Sequence, residues 1–201
     1  MPSKFDPQKH HRRSIRLKGY DYSQPGAYFV TIVTFQRECL FGEVVDGEMR
    51  LNRYGEVVKW EWERLPQIFK HLELGVFVIM PNHFHGIIVL RDNAGATRHG
   101  LDSAMSGNVS LQTIATDGID GSPLPCGPQP ASLGAIIGQF KSRVTKRLWK
   151  IPSLNGRPIW QRNYYEHIIR NEHEMDRIWR YIESNPVNWA DDDENPLNIQ
   201  P

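Results

Sequence analysis

The residues most able to do chemistry are a histidine pair, His83 and His85, and a tyrosine, Tyr181, near the end of the 201-residue chain. His83-Phe84-His85 lies inside the apolar run GVFVIMPNHFHGIIVL. On a strand, side chains alternate faces, so the two imidazoles point one way and Phe84 the other. Two imidazoles one strand repeat apart can reach one metal ion. Equally, they can be ordinary strand histidines with ordinary hydrogen bonds, because His-x-His also arises by chance. A metal held this way needs a third ligand, and two histidines with open positions suit a catalytic ion better than a closed structural site. Imidazole favours zinc-like ions, whereas a phosphate substrate and amide oxygens shift the balance toward magnesium or manganese.

Tyr181 falls in a segment whose Met175, Ile178, Trp179 and Ile182 share one helical face. At roughly 100° per residue, Tyr181 lies at the border of that stripe with Asn185 one turn on. One reading is a packing tyrosine with its hydroxyl in water, followed by a helix end at Asn185-Pro186. The other is a nucleophile. A phenol with an ordinary pKa of about 10 attacks phosphorus only with help from a base or a metal-polarised phosphate. Once attached, it leaves more readily than a sugar hydroxyl, so a phosphotyrosine link conserves the broken bond and suits strand transfer.

The elements that must position these groups read as follows. Ala27 to Phe35 (AYFVTIVTF) is a buried strand, and LFGEVVDGEMRLN is a hairpin centred on Asp46-Gly47. Asn52 caps a helix running to about Lys70, weakened late by Pro66. Strands at 74–81 and 83–90 meet at Pro81-Asn82. Ser132 caps a helix striped by Leu133, Ile136, Ile137, Phe140, Val144 and Leu148. Residues from Trp160 to Ile169 are short and mixed. The last helix starts at Asn171, with Glu174 placed for a capping box. This order predicts an α+β domain, an antiparallel sheet covered by helices. Within it, 1–25 is a basic arm, 26–189 a single domain, and 190–201 an acidic and polar tail. The Gly-, Ser-, Asp- and Pro-rich stretch 91–131 reads as a flexible insertion into that domain.

Composition narrows the setting. Apolar residues make up 39% and aromatics 10%, enough for a core. No apolar run approaches the roughly 18 residues of a membrane span, and the basic N-terminus is not a secretory signal. Cys39 and Cys126 match neither a disulfide framework nor a zinc spacing, which suits a reducing, cytoplasmic location. The formal net charge is only +1, but positive charge gathers in Lys9–Lys18 and Lys141–Lys150, while Asp191, Asp192, Asp193 and Glu194 oppose it near the end. A near-neutral total is compatible with a basic stripe facing phosphates.

Taken together, IMPNHFHGIIVL, SLGAIIGQFKSRVTKRL, WQRNYYEHIIRNEHEMDRI and RYIESNPVNW resemble the REP-associated tyrosine transposases. These are relatives of the single-tyrosine insertion-sequence transposases, whose sites carry His-hydrophobic-His. The resemblance spans about Arg12 to Trp189 apart from the insertion. It implies a ferredoxin- or RRM-like fold, a divalent ion (Mg2+ or Mn2+) on His83 and His85, and Tyr181 as nucleophile. Insertion-sequence relatives complete the metal site with a Gln one turn after the tyrosine; the shorter amide of Asn185 stands there in this chain. The implied substrate is single-stranded DNA folded into REP-like hairpins, cut through a 5′-phosphotyrosine intermediate by a monomer or homodimer. Candidate phosphate contacts are Arg12, Arg13, Arg16 and Lys18 on the arm, with Lys141, Arg143, Lys146 and Arg147 on the basic helix. Tyr164 and Tyr165, without a helical amide partner, rank behind Tyr181. Two alternatives stay open: a catalytically inactive hairpin-binding protein, and a metal-dependent hydrolytic nuclease that does not use the tyrosine.

Overall fold

The computed structural model of the chain describes residues 20–92 and 130–198. Most of the basic arm, with Arg12, Arg13, Arg16 and Lys18, and nearly all of the 91–131 insertion lie outside the described residues.

Four strands form one antiparallel sheet: β1 (Gly26–Val33), β4 (Leu72–Ile79), β5 (His83–Leu90) and β6 (Tyr165–Ile169), in the spatial order β4-β5-β1-β6. A separate hairpin, β2 (Gly42–Val45) and β3 (Glu48–Leu51), follows β1. Its turn is the predicted Asp46-Gly47, with φ of +55° and +76°, the left-handed pair that a two-residue hairpin loop requires. Helix α1 (Arg53–Glu63) crosses from β1 to β4, and α3 (Leu133–Leu148) from β5 to β6. These two β-α-β crossovers, interleaved in one sheet, are the ferredoxin-like arrangement expected of an α+β domain.

Period-2 alternation divides the sheet into two faces. Tyr28, Val30, Ile32, Phe84, Ile88 and Leu90 join α1 and α3 in one core. Phe29 and Ile87 face the other way, with Ile169 of β6 and with Ile178 and Ile182 of helix α4 (Glu172–Ser184). The α3 stripe is fully buried as predicted: Leu133, Ile136, Ile137, Phe140, Val144 and Leu148 each stabilise the fold by roughly 1.5–3 kcal/mol. On β5, Gly86 is required by packing, since a Cβ there would come within 2.8 Å of the Trp62 ring and 2.9 Å of Phe84.

Four local expectations change. The helix begun at Asn52, whose side chain accepts from Tyr54 N and Gly55 N, stops at Glu63. Pro66 lacks an N–H and crowds the preceding turn, so the chain restarts as a single turn, α2 (Leu65–Ile68). Second, the mixed segment before α4 is a strand, β6, paired with β1 from Thr31↔Tyr165 to Ala27↔Ile169. Its polar Glu166 and His167 blur the alternation, as edge strands often do. Third, Trp179, expected on the core face of α4, is 45% exposed. That helix meets the sheet along the narrow Ile178–Ile182 line. Its Glu174 departs from a simple capping box: Asn171 accepts from Glu174 N, while the Glu174 carboxylate accepts from Arg170 N and pairs with His167.

Candidate metal and nucleophile site

The face of β5 that carries Ile87 also carries His83 and His85, both buried, with ring centroids 4.6 Å apart. Helix α4 crosses this face and brings Tyr181 and Asn185 over them. The Tyr181 hydroxyl is 3.3 Å from His85 Nε2, and Asn185, the C-cap of α4, is buried beside it. Two pairs distant in sequence, His83 with His85 and Tyr181 with Asn185, thus lie together on one face of the sheet. Tyr181 stays 47% exposed and lines a cleft of about 590 Å³ together with His85, Asn185, Thr31, Phe29 and Tyr165.

Neighbouring groups orient each imidazole. The Asn82 amide nitrogen donates to the carbonyls of Arg37 (3.1 Å) and Glu194 (2.6 Å), so its oxygen must face His83 Nδ1 at 2.9 Å as an acceptor. His83 therefore carries its proton on Nδ1 and turns a bare Nε2 toward the site. His85 Nδ1 meets the Thr31 hydroxyl at 2.8 Å, across the β1–β5 register pair Thr31↔His85. In the tautomer that donates from Nδ1 to the Thr31 hydroxyl, Nε2 of His85 has one lone pair and can accept from Tyr181 or ligate an ion, but not both.

Burial controls the protonation of all three groups. It pulls His83 below the ordinary imidazole value, opposed by the charges of Asp192 and Glu194 and by the neighbouring Asn185 amide. His85 is held well below that value, first by burial and then by His83. Both rings are consequently neutral near pH 7, the state that binds metals. Burial also raises Tyr181, and Asp192 adds to the rise, while the Asn185 amide works against it. The phenol is protonated at neutral pH and needs assistance to attack.

His83 Nε2 and Asn185 Oδ1 are buried and make no hydrogen bond. Two electron-pair donors left bare in a polar pocket are costly for a fold, and a cation shared between them would relieve that cost. Among the described residues, no group of three or more His, Cys, Asp or Glu is placed to hold an ion as the side chains stand, with His85 Nε2 engaged by Tyr181. An ion here would draw on the amide as well. The available donors are imidazole nitrogens and oxygen atoms, a set that fits a divalent ion.

Several contributors were missed by sequence reasoning. Thr31, Asn82 and Phe29 were read only as strand or turn residues; the register of Thr31 against His85 is visible only once β1 and β5 are paired. The segment expected as a polar tail packs back over the site, with Asp192 Oδ2 3.9 Å from His83 Nε2 and Glu194 paired to Arg37 at 2.5 Å. Tyr165 lines the cleft and is 49% exposed, but the hydroxyl bonded to His85 belongs to Tyr181. The basic helix lies on the opposite face of the sheet. There Arg143 and Arg147 both pair with the buried Glu61, and Arg147 also stacks on Trp60 at 3.8 Å. Lys141 donates to the carbonyls of Gln161 (2.6 Å) and Asn163 (3.0 Å), and burial lowers it to about 8. Lys146 is exposed. Among the described residues no helix is long and apolar enough to cross a membrane.

No family model matches the chain. A solved structure of a REP-associated tyrosine transposase bound to a REP hairpin superposes with a TM-score of 0.53 at 16% identity, covering 89% of this chain and 75% of that one. This likeness shows a shared fold. In sequence, an uncharacterized protein of Haemophilus influenzae (strain ATCC 51907 / DSM 11121 / KW20 / Rd) is 40% identical over 192 residues, which is 96% of this chain and 97% of that protein. At that identity over nearly the whole of both chains, this protein belongs to the same family as the Haemophilus influenzae protein, and it has a transposase-like α+β fold.

Proposed function

We propose that the protein is a metal-dependent endonuclease and strand transferase for single-stranded DNA hairpins of the REP type, acting through a covalent tyrosine intermediate. The observation that carries this reading is that Tyr181, His85 and Asn185 line one open cleft, the Tyr181 hydroxyl beside His85, with His83 buried directly behind His85 and His83 Nε2 and Asn185 Oδ1 both without a partner. The fold likeness to a transposase bound to a REP hairpin supports the substrate class.

In this reading His83, His85 and Asn185 hold a divalent ion, Mg2+ or Mn2+. When bound, the ion neutralises and polarises the scissile phosphate. Were His85 to hold the ion through Nε2, that nitrogen could no longer accept from Tyr181, and the hydroxyl would be free to face the cleft. Tyr181 gives up its phenolic proton and attacks phosphorus in line, forming a 5′-phosphotyrosine bond as the P–O3′ bond breaks and the departing 3′-oxygen takes up a proton to become a 3′-hydroxyl. Attack by a 3′-hydroxyl on that bond rejoins strands and returns the phenol. Asn82 and Thr31 keep both rings oriented throughout. The basic surface of α3 lies across the sheet from the cleft, so DNA that uses both would pass around a sheet edge.

The test incubates an end-labelled single-stranded hairpin oligonucleotide with Mn2+, with and without chelator, and separates products under denaturing conditions. The expected result is a chelator-sensitive protein–DNA adduct with the wild-type chain and none with Tyr181→Phe. Cleavage that persists in Tyr181→Phe with free 5′-phosphate ends would identify a hydrolytic nuclease instead. Hairpin binding without cleavage, indifferent to chelator, would identify an inactive binding protein.

A further inference from the structure

We infer that Asp192, supplied by the segment that follows α4, is a carboxylate ligand of the divalent ion; this rests on the metal-site reading above. The segment is fixed over the histidines. The Glu194 carbonyl accepts from the buried Asn82 amide at 2.6 Å, and the Glu194 carboxylate pairs with Arg37 at 2.5 Å. The Trp189 ring lies 5.9 Å from that of His83. Asn82 therefore orients His83 with one end of its amide and holds this segment with the other.

Within the segment, Asp192 Oδ1 accepts from Glu194 N at 2.6 Å. That leaves Oδ2 directed at His83 Nε2 from 3.9 Å. The gap is too long for a hydrogen bond, and Nε2 carries no proton because Nδ1 donates to Asn82. Yet it matches the separation of two atoms that ligate one ion through bonds of about 2.0–2.2 Å, which is roughly 3–4 Å. Asn185, whose Oδ1 is buried and without a partner, lines the same cleft as Asp192. Bare electron-pair donors on His83 and Asn185 beside a carboxylate repel it unless a cation lies between them.

Charge points the same way. Asp191, Asp192, Asp193 and Glu194 all line the cleft, Arg37 pairs with Glu194, and among the described residues no lysine or arginine lines it. A phosphate diester approaching this wall meets repulsion that a divalent cation would cancel. A carboxylate and an amide oxygen beside two imidazoles also make the site harder than histidine alone, which favours Mn2+ or Mg2+ over softer ions.

Direct binding of Mn2+ to the full chain without DNA, followed by electron paramagnetic resonance and by the metal-induced rise in melting temperature, tests this. Asp192→Asn retains an oxygen to accept from Glu194 N, so the segment keeps its anchor; Asp192→Glu keeps the charge on a longer arm. Asp192→Asn should weaken Mn2+ binding by at least ~10-fold. Asp192→Glu should bind more tightly than Asp192→Asn, and Asp193→Asn, on an exposed neighbour, should stay within about twofold of wild type. If His83→Ala abolishes Mn2+ binding while Asp192→Asn binds as wild type does, Asp192 is not a ligand and the histidine site stands. If His83→Ala binds Mn2+ unchanged, or the wild-type chain binds none, the metal-site reading fails and this inference falls with it.

Discussion

On the α1/α3 face of the sheet, Tyr28, Val30, Ile32, Phe84 and Ile88 interlock with two helices in a dry core. On the α4 face the same strands present Phe29, Thr31, His83, His85 and Ile87, and Ile178, Ile182, partly buried neighbours such as Met175 and the polar segment after α4 close over them. The first face has one aromatic ring packed on the next, with Trp62 4.4 Å from Phe84 and 5.2 Å from Phe140. The second leaves Tyr165, Trp179 and Tyr181 nearly half exposed. Its unpartnered buried atoms are lone-pair donors, His83 Nε2 and Asn185 Oδ1, whereas the first leaves the indole N–H groups of Trp62 and Trp160 without a partner. Stability is concentrated where packing is complete, and binding capacity where it is left incomplete. Because a strand alternates, one tripeptide serves both ends: Phe84 secures the core while its neighbours face the cleft.

This division can be broken by experiment. The largest effect should come from Tyr181→Phe, which should abolish adduct formation on denaturing gels. It removes one 3.3 Å hydrogen bond from a half-exposed ring, so unfolding free energy should shift by less than about 1 kcal/mol. A variant that lost several kcal/mol would show that the α4 face carries stability after all. Phe84→Ala should reverse the pattern, lowering the unfolding free energy in urea by about 3–5 kcal/mol, because its ring is fully buried between Trp62 and Phe140. A loss near zero would erase the contrast between the faces.

Smaller effects sharpen the contrast. Glu61→Gln removes the buried charge that pairs with Arg143 and Arg147. Since both arginines keep partial solvent access, the cost should be about 2 kcal/mol, below that of losing a fully buried partner. Last, the histidines make the α4 face sensitive to acid. Their folded-state pKa values lie below the ordinary 6.5, so in the window beneath 6.5 the unfolded chain binds more protons than the folded one. Stability should be complete above about pH 6.5 and decline as pH falls through that window, by at most about 1.4 kcal/mol per pH unit for each group. Denaturant midpoints measured between pH 7.5 and 5 should show this slope, and His85→Gln should reduce it. An unchanged slope in that variant would mean that His85 is not the group responsible.

Much of the fold was legible because its signals are local. The α3 stripe, the Asp46-Gly47 turn and the caps at Asn52, Ser132 and Asn171 each depend on residues within a few positions of one another. Edge strand β6 was not legible, since its identity comes from pairing with β1 and not from its own pattern. Trp179 looked like core because helical periodicity alone does not show how wide a stripe the neighbouring sheet will cover. The pairing of Arg143 and Arg147 with Glu61 was not legible, because their shared partner belongs to another helix.

The site divides along the same line. Sequence alone placed His83 and His85 on one face and set Asn185 one turn beyond Tyr181, because backbone geometry repeats every two residues in a strand and every 3.6 in a helix. It could not bring the two pairs together, since that depends on where α4 crosses the sheet. Nor could it fold Asp192 back onto His83 or set Thr31 opposite His85. Those approaches are made by packing, strand register and the two-ended amide of Asn82, which act between residues far apart in the chain.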